Sequence, residues 1–505
     1  MVGMAAHLLD RLEAMKGRFG RADAARTADL LDRLSRTRFR DRASLVRLHE
    51  AVLFLRAYPA SPRVLRLADA ILLDFASRIR DPGEFDDPEI SGIAGTSFSA
   101  VFSHAVARRL AVRHPRAVTI DWDGYEGTAA FGAALSRRLP LFSDDWPVEA
   151  NIPYQHWMGR RGLAWLVDRL DGDTYDALHL PLAWNLGSSP ATRSRTRWPQ
   201  RRVFYHRGRL LSREDVPLET ELASPPLAVE TLPRARASRL LDVILDTSAV
   251  RFRELYGFNW PDRARILRAD AGRGMEIYFF GVPPEHRLPM RAYHCGAFFK
   301  NGVPVGYVET LSLFERAEVG FNLYYTFREG ETAWLYARLL RLLRQLLGVT
   351  AFFVDPYQVG LHNEEAIASG AFWFYRKLGF RPVGEEAARL TGREEARMAA
   401  SPGYRTPPGT LRRLAESGLI YNAGSEWDRF SVRHLGLRLA GRSDGAGGWT
   451  EVLGAIPDFA RWPPDERRAA RDIVRAKGAP TEVRYLRLMQ RHARLKAAVL
   501  KLGSG

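Results

Sequence analysis

Asn363–Phe380 reads NEEAIASGAFWFYRKLGF, and the fold turns on how this stretch is read. Ile367, Ala371, Phe374 and Leu378 recur at i, i+4, i+7 and i+11, which is one face of an α-helix. Arg376 and Lys377 stand in the last turn, where cations complement the helix dipole, and Gly379 supplies a left-handed stop. The spacing predicts one helix ending at Gly379 and a new strand over Phe380–Val383.

Working upstream, Ala237–Tyr256 has helical apolar spacing, whereas Met275–Phe280 and Tyr293–Phe299 are strand-like. Asn301-Gly302 follows directly and is a strong hairpin signal. Val303–Phe314 returns as a long strand, and Val319–Phe327 forms a further one. The loop Arg328–Thr332 leads into a helix over Ala333–Leu347, then a strand over Thr350–Val354 and the quoted helix. The order is helix, meander, strand–loop–helix, strand, helix, strand. That order, together with the helix end FYRKLGF, resembles the GCN5-related N-acetyltransferase (GNAT) superfamily over about residues 236–390.

The resemblance implies an α/β (α+β) fold with a mixed sheet flanked by helices. It also implies transfer of an acyl group from acetyl-CoA, or another acyl-CoA, to an amine. In the family, backbone N–H groups of the strand–loop–helix grip the pyrophosphate, because a helix N-terminus offers unpaired donors and partial positive charge. The family pattern Gln/Arg-x-x-Gly-x-Gly/Ala falls here in one of two registers. One begins at Arg328, with Glu331 at the glycine position and Ala333 last. The other begins at Phe327, with Gly330 as the glycine and Thr332 last. Glu329 and Glu331 bring two carboxylates to this loop, and these would oppose an anion. Tyr375 matches the family tyrosine that protonates the leaving thiolate, a task suited to a phenol with a pKa near 10. Packing beside Phe372 and Phe374 accounts for it equally. Ala368 stands where the family has an asparagine.

An attacking amine must also lose a proton. Glu309, on the strand after the hairpin, is the expected base, with His294 on the partner strand and Asp355 at a strand end as alternatives. Alternation along the strand would equally turn Glu309 to solvent, and Asp355-Pro356 reads equally as a turn. Cys295 is a poor nucleophile on an apolar strand with no base beside it.

The 505 residues are 46% hydrophobic and 26% charged, the balance of a folded chain. They divide on the page into a helical region (1–80), an irregular α/β region with a basic loop (81–235), the GNAT-like domain (236–390) and a basic helical C-terminal region (391–505). No apolar run is long enough to span a membrane. Asp10 and Glu13 interrupt the first apolar stretch, so it reads as a helix of the fold and not as a secretory signal. A single cysteine excludes intrachain disulfides and Cys-based zinc sites and fits a cytoplasmic protein. No metal is expected. The net charge of +17 permits an anionic partner: nucleic acid, an acidic lipid surface or a phosphorylated cofactor. The charge is mostly arginine spread along the chain, so nucleic acid is not favoured.

Within 1–80, four segments have apolar residues three and four apart, and Ser61-Pro62 suits a helix start. Gly92–Ser97 reads as the opening of a helix over Phe98–Arg113, capped by Thr96 or Ser97. Val118–Trp122 reads as a strand, and Asp121-Trp122-Asp123 as a solvated turn in preference to a metal site. His156, His179 and His206 show no metal spacing. Gly187–Pro233, which contains SSPATRSRTRWPQRR, reads as a solvated loop, and Arg338, Arg341 and Arg344 as a solvated helix face. Pro463–Ala476 and Thr481–Leu502 read as a helical pair. The leading function is direct acyl transfer from acyl-CoA to an amine, with Tyr375 as acid and Glu309 as base. The alternatives are a non-catalytic GNAT-like scaffold that binds a protein partner through its helical regions, and an RNA-directed acyltransferase.

Overall fold

The computed structural model describes residues 2–87, 90–138, 162–422, 427, 430–440 and 451–504. His156 lies outside them. The fold is mixed α/β, with a three-stranded sheet and a nine-stranded sheet. The chain forms two compact units, 1–209 with 239–259 and 301–304, and 210–238 with 260–300 and 305–505.

The first unit opens with four helices: α1 (Val2–Met15), α2 (Arg21–Ser35), α3 (Arg42–Ala57) and α4 (Pro62–Leu73). The expected start of α4 is present, with Ser61 Oγ accepting from the Val64 amide at 3.3 Å and Pro62 in the first turn. The three-stranded sheet follows, formed by β1 (Ser97–Val101), β2 (Val118–Ile120) and β3 (Pro181–Asn185) in the order β1-β3-β2. Here one expectation fails. Phe98–Val101 is strand, pairing antiparallel with β3, and the helix begins only at His104. The glycines before it do not open a helix. Gly92 and Gly95 have φ of 87° and 89°, and a Cβ on Gly95 would lie 2.8 Å from the Ala76 Cα. They serve a tight turn and a close backbone approach, and Thr96 Oγ1 bonds back to the Ile93 carbonyl at 2.8 Å.

The basic stretch at 188–202 is also not a solvated loop. Thr192, Arg193 and Ser194 are buried. Arg193 Nη2 donates to both Glu50 carboxylate oxygens at 2.7 Å, Arg56 Nη1 donates to the Ser194 carbonyl at 2.8 Å, and Arg197 meets Asp69 at 2.9 Å. Buried charges persist only when paired. This pairing holds the segment against α3 and α4 and consumes arginines that composition alone would assign to an anionic partner.

The second unit is built on the nine-stranded sheet. Its strands are β4 (Ala228–Thr231), β5 (Leu267–Gly272), β6 (Met275–Gly281), β7 (Ala292–Lys300), β8 (Val303–Leu313), β9 (Arg316–Leu323), β10 (Ala351–Val354), β11 (Arg381–Pro382) and β12 (Leu419–Asn422). Their order is β11-β12-β10-β9-β8-β7-β6-β5-β4. All nine β7 residues are buried, which explains its nearly unbroken apolar run. The β7–β8 turn is Asn301-Gly302 with φ of 49° and 80°, the positive pair that a tight primed turn requires. The sheet runs past residue 390, because β12 pairs antiparallel with both β10 and β11.

The stretch that opened the reading is not one helix. Glu364–Ser369 and Ala371–Arg376 are separate short helices, divided at Gly370 with φ 66° and ψ 37°. Glycine adopts this left-handed state at little cost; the apolar spacing of the sequence runs through the break, but in the second helix the buried positions are Phe372 and Tyr375. Gly379 has φ 100°, as its role as a stop requires. Arg338 and Arg341 are not solvated either, since both pair with Glu221, at 3.2 and 2.7 Å. The last expected helix is two, Glu482–Arg491 and Ala493–Gly503, with the His492 ring accepting from the Leu495 amide at the break.

Candidate functional site

The parallel pair β9–β10 positions the candidate site. Ala351, Phe352 and Phe353 of β10 pair with Arg316, Ala317 and Glu318 of β9. Beyond Glu318 the β10 pairing stops, while β9 continues to Leu323, paired only with β8. Among the described residues no strand pairs with Val319–Leu323 on that side. Unpaired edge N–H and C=O groups can take up an extended amide-bearing ligand by adding it as a strand.

β9 leads into a short 3-10 turn, Tyr325–Phe327, and then the helix Thr332–Leu347. Of the five residues expected at a pyrophosphate, three have amides already in use. The Phe327, Arg328 and Gly330 amides donate to the carbonyls of Tyr324, Tyr325 and Phe327, and the Phe327 side chain is core. The Arg328 side chain is taken by Glu365. Thr332 and Ala333 start the helix, and the first recorded donation into its opening turn is from Leu335 to the Glu331 carbonyl. Among the described residues the amides of Thr332, Ala333 and Trp334 have no acceptor, as at any helix N-terminus.

Glu331 does not oppose an anion here. Its carboxylate is fully buried, 2.6 Å from Arg273 Nη2 and 3.2 Å from Lys300 Nζ, and it accepts from the Leu211 amide at 3.2 Å. Burial brings the Lys300 ammonium down to about 8 against the pull of Glu331. The charge expected to repel phosphate is neutralised inside the unit, leaving Glu329 as the exposed carboxylate of the loop.

Glu309 is half-buried on β8 and accepts a hydrogen bond from the Tyr293 hydroxyl. Burial raises its carboxyl above the usual range, and the Tyr293 bond partly offsets this. A carboxylate raised in this way is a stronger base than an ordinary one. His294 fits the role poorly. It is 1% exposed, both ring nitrogens lack partners among the described residues, it stacks on Phe279 at 5.2 Å, and burial lowers it to about 3. Asp355 caps a short helix, Pro356–Val359, by accepting from the Tyr357 amide at 2.9 Å. Cys295 is buried and its thiol is pushed up by burial, so it stays protonated.

Tyr375 is 4% exposed in an aromatic group with Tyr336, Phe374 and Phe380, at ring separations of 5.4, 5.1 and 5.9 Å. Burial raises its phenol, which keeps the proton on it at neutral pH. Periodicity did not mark Tyr336, which brings a buried, unpartnered hydroxyl to the same group.

In the first unit, Ser194 Oγ lies 2.9 Å from His49 Nε2, and His49 Nδ1 lies 3.0 Å from Glu50 Oε1. This is the connectivity of a serine–histidine–carboxylate relay. Ser194 is wholly buried and its Oγ accepts from the Ala94 amide at 2.9 Å, so the relay fastens the chain and offers no nucleophile.

Among the described residues no group of His, Cys, Asp and Glu could hold a metal ion, and no helix is long and apolar enough to cross a membrane. Comparison with family models, curated proteins and solved structures finds no match to this chain.

Proposed function

We propose that the chain is an acyl-CoA-dependent N-acyltransferase of GNAT type that transfers its acyl group, acetyl in the simplest case, directly to an amine. One observation carries the reading: the β9–β10 pairing ends at Glu318 and Phe353 while β9 runs on to Leu323, shortly before the helix Thr332–Leu347. In this reading the pyrophosphate lies at the Thr332 and Ala333 amides, and the cofactor's amide-bearing arm runs along Val319–Leu323. Glu309 takes the proton from the amine. The amine lone pair then forms the new C–N bond, and the thiolate leaves as its C–S bond breaks. Tyr375 supplies the proton that the thiolate takes up, since a phenol held above its usual pKa remains protonated until a stronger base forms.

Titration calorimetry with acetyl-CoA tests this, using wild type beside Thr332→Glu. An acidic residue in the first turn favours the helix, so the variant should fold, while its charge repels the pyrophosphate. Micromolar binding weakened by about tenfold or more in the variant is expected, equivalent to about 1.4 kcal/mol. Absence of acetyl-CoA and CoA binding by wild type overturns the proposal and favours a non-catalytic scaffold.

A further inference from the structure

Tyr293 on β7, Glu309 on β8 and Gly320 on β9 form a row across one face of the second unit's sheet. Glu309 and Gly320 are direct partners in the β8–β9 ladder, and residues directly opposite in such a ladder project to the same face. The Tyr293 hydroxyl reaches Glu309 on that face. At Gly320 the row has a gap, because the position opposite Glu309 on β9 carries no side chain.

The far wall of the gap is Gln358. A Cβ at Gly320 would lie 3.8 Å from Gln358 Nε2 and 3.7 Å from the Glu309 carbonyl oxygen, both ordinary contact distances. Gln358 sits in the short helix Pro356–Val359 that follows β10. Its side-chain amide has no partner among the described residues. Glu309, Gly320 and Gln358 are all half-buried, so solvent reaches the gap.

We infer that Gly320 and Gln358, with Glu309, form a slot that admits a primary ammonium and excludes N-substituted amines. The inference rests on the reading of Glu309 as the base. An ammonium has three N–H donors and no acceptor. The slot offers a carboxylate oxygen on one wall and a carboxamide, which can turn either end inward, on the other. Each N-substituent removes a donor and adds bulk where only the missing Gly320 side chain leaves room. Once Glu309 has accepted one of the three protons, the amine lone pair is free to attack; the nitrogen sheds a second proton as the C–N bond forms, which balances the proton that Tyr375 gives to the departing thiolate. Gln358 is then a specificity-determining residue that orients the acceptor without taking part in proton transfer.

The chain's single cysteine, Cys295, is buried, so a new thiol in the slot can be followed alone. Gly320→Cys is treated with aminoethyl, trimethylammonioethyl and sulfonatoethyl methanethiosulfonates, each rate being divided by that of the same reagent with a free small thiol. The aminoethyl reagent should be favoured over the trimethylammonio reagent by about tenfold, and over the sulfonate by more. Adding Glu309→Gln or Gln358→Ala should each reduce the first preference by about threefold or more. If Gly320→Cys fails to fold, Gln358→Cys on the opposite wall takes its place, with the same sign of preference expected.

Equal normalised rates for the two cationic reagents, or a preference unchanged by Gln358→Ala, would overturn the slot. These rates need no acyl-CoA. A slot that fails while acetyl-CoA binds leaves the transferase reading standing, and a selective slot without acetyl-CoA binding shows that the transferase reading has failed.

Discussion

The backbone amide of Tyr293 donates to the Glu482 carboxylate at 2.9 Å, although the two residues lie in the body of the sheet and in the C-terminal helical segment. Glu482 is itself buried and held by Arg287 Nε at 2.5 Å, while Arg287 donates to the Ala476 and Ala479 carbonyls. The helix Glu482–Arg491 is thus fastened to β7 through its first residue. Tyr293 makes two independent bonds, its amide to Glu482 and its hydroxyl to Glu309.

That independence makes Tyr293→Phe a clean variant. It keeps the amide bond that seats the residue and removes the hydroxyl's bond to Glu309. The lost bond favours the ionised carboxylate, so the Glu309 pKa should rise further. Glu309 is raised in the folded state, so its contribution to stability is present below the unfolded value of about 4.5 and is lost as pH rises through the folded value. Tyr293→Phe should therefore be less stable than wild type by about 1 kcal/mol at pH 7, with the gap closing below about pH 4.5. Carbon-13 titration of labelled glutamate, with Glu309→Gln to assign the signal, reads the pKa directly. An unshifted signal would show that the phenol does not govern Glu309.

His294 carries the opposite sign. Its folded value of about 3 lies below the ordinary 6.5, so its contribution to stability is present above pH 6.5 and is lost as pH falls toward 3. Between pH 7 and pH 5 this one group should cost about 2 kcal/mol. His294→Phe loses no hydrogen bond, because neither ring nitrogen has a partner among the described residues, and it retains a ring to stack on Phe279. In urea unfolding the variant should match wild type within about 1 kcal/mol at pH 7 and exceed it at pH 5. His49, which is also lowered by burial, titrates in both proteins and cancels from the comparison. Parallel loss of stability in wild type and variant would place the acid sensitivity elsewhere.

What was legible in the sequence was local. β7 and β8 announced themselves because an apolar run and an alternating run meet at Asn301-Gly302, and Ser61-Pro62 marked a helix start because capping needs only four residues. β12 escaped notice because four residues carry little periodicity between helices. The break at Gly370 escaped because the apolar spacing runs through it. Glu309 could be picked out as an acidic residue on a strand beside a hairpin. The neutralisation of Glu331 by Arg273 and Lys300 depends on residues from the β5–β6 turn and the end of β7, and the gap at Gly320 exists only once the β8–β9 register is known. The pairing of Arg193, Arg56 and Arg341 was hidden for the same reason, since their partners are distant in sequence.

Asn301-Gly302 does more in the first unit than close a hairpin. Asn301 is fully buried, and its Nδ2 donates to the Ala57 and Phe204 carbonyls at 2.8 and 3.0 Å, while its Oδ1 accepts from the Phe204 amide at 2.8 Å. The Gly302 carbonyl accepts from Trp198 at 2.7 Å, and a Cβ on Gly302 would lie 2.1 Å from the Trp198 carbonyl oxygen. Gly302→Ala must therefore displace backbone as well as hold a positive φ, and should cost about 2–4 kcal/mol, against about 1 kcal/mol in an open turn. Asn301→Asp turns two accepted donations into repulsion between a carboxylate and two carbonyls, and should cost about 3 kcal/mol or more. Asn301→Gly separates the two effects: it tolerates the backbone conformation and removes all three side-chain bonds. Urea unfolding of the three variants should place Asn301→Gly about 2–3 kcal/mol below wild type. If it is as stable as wild type, the side chain contributes nothing and the turn geometry alone fastens this corner.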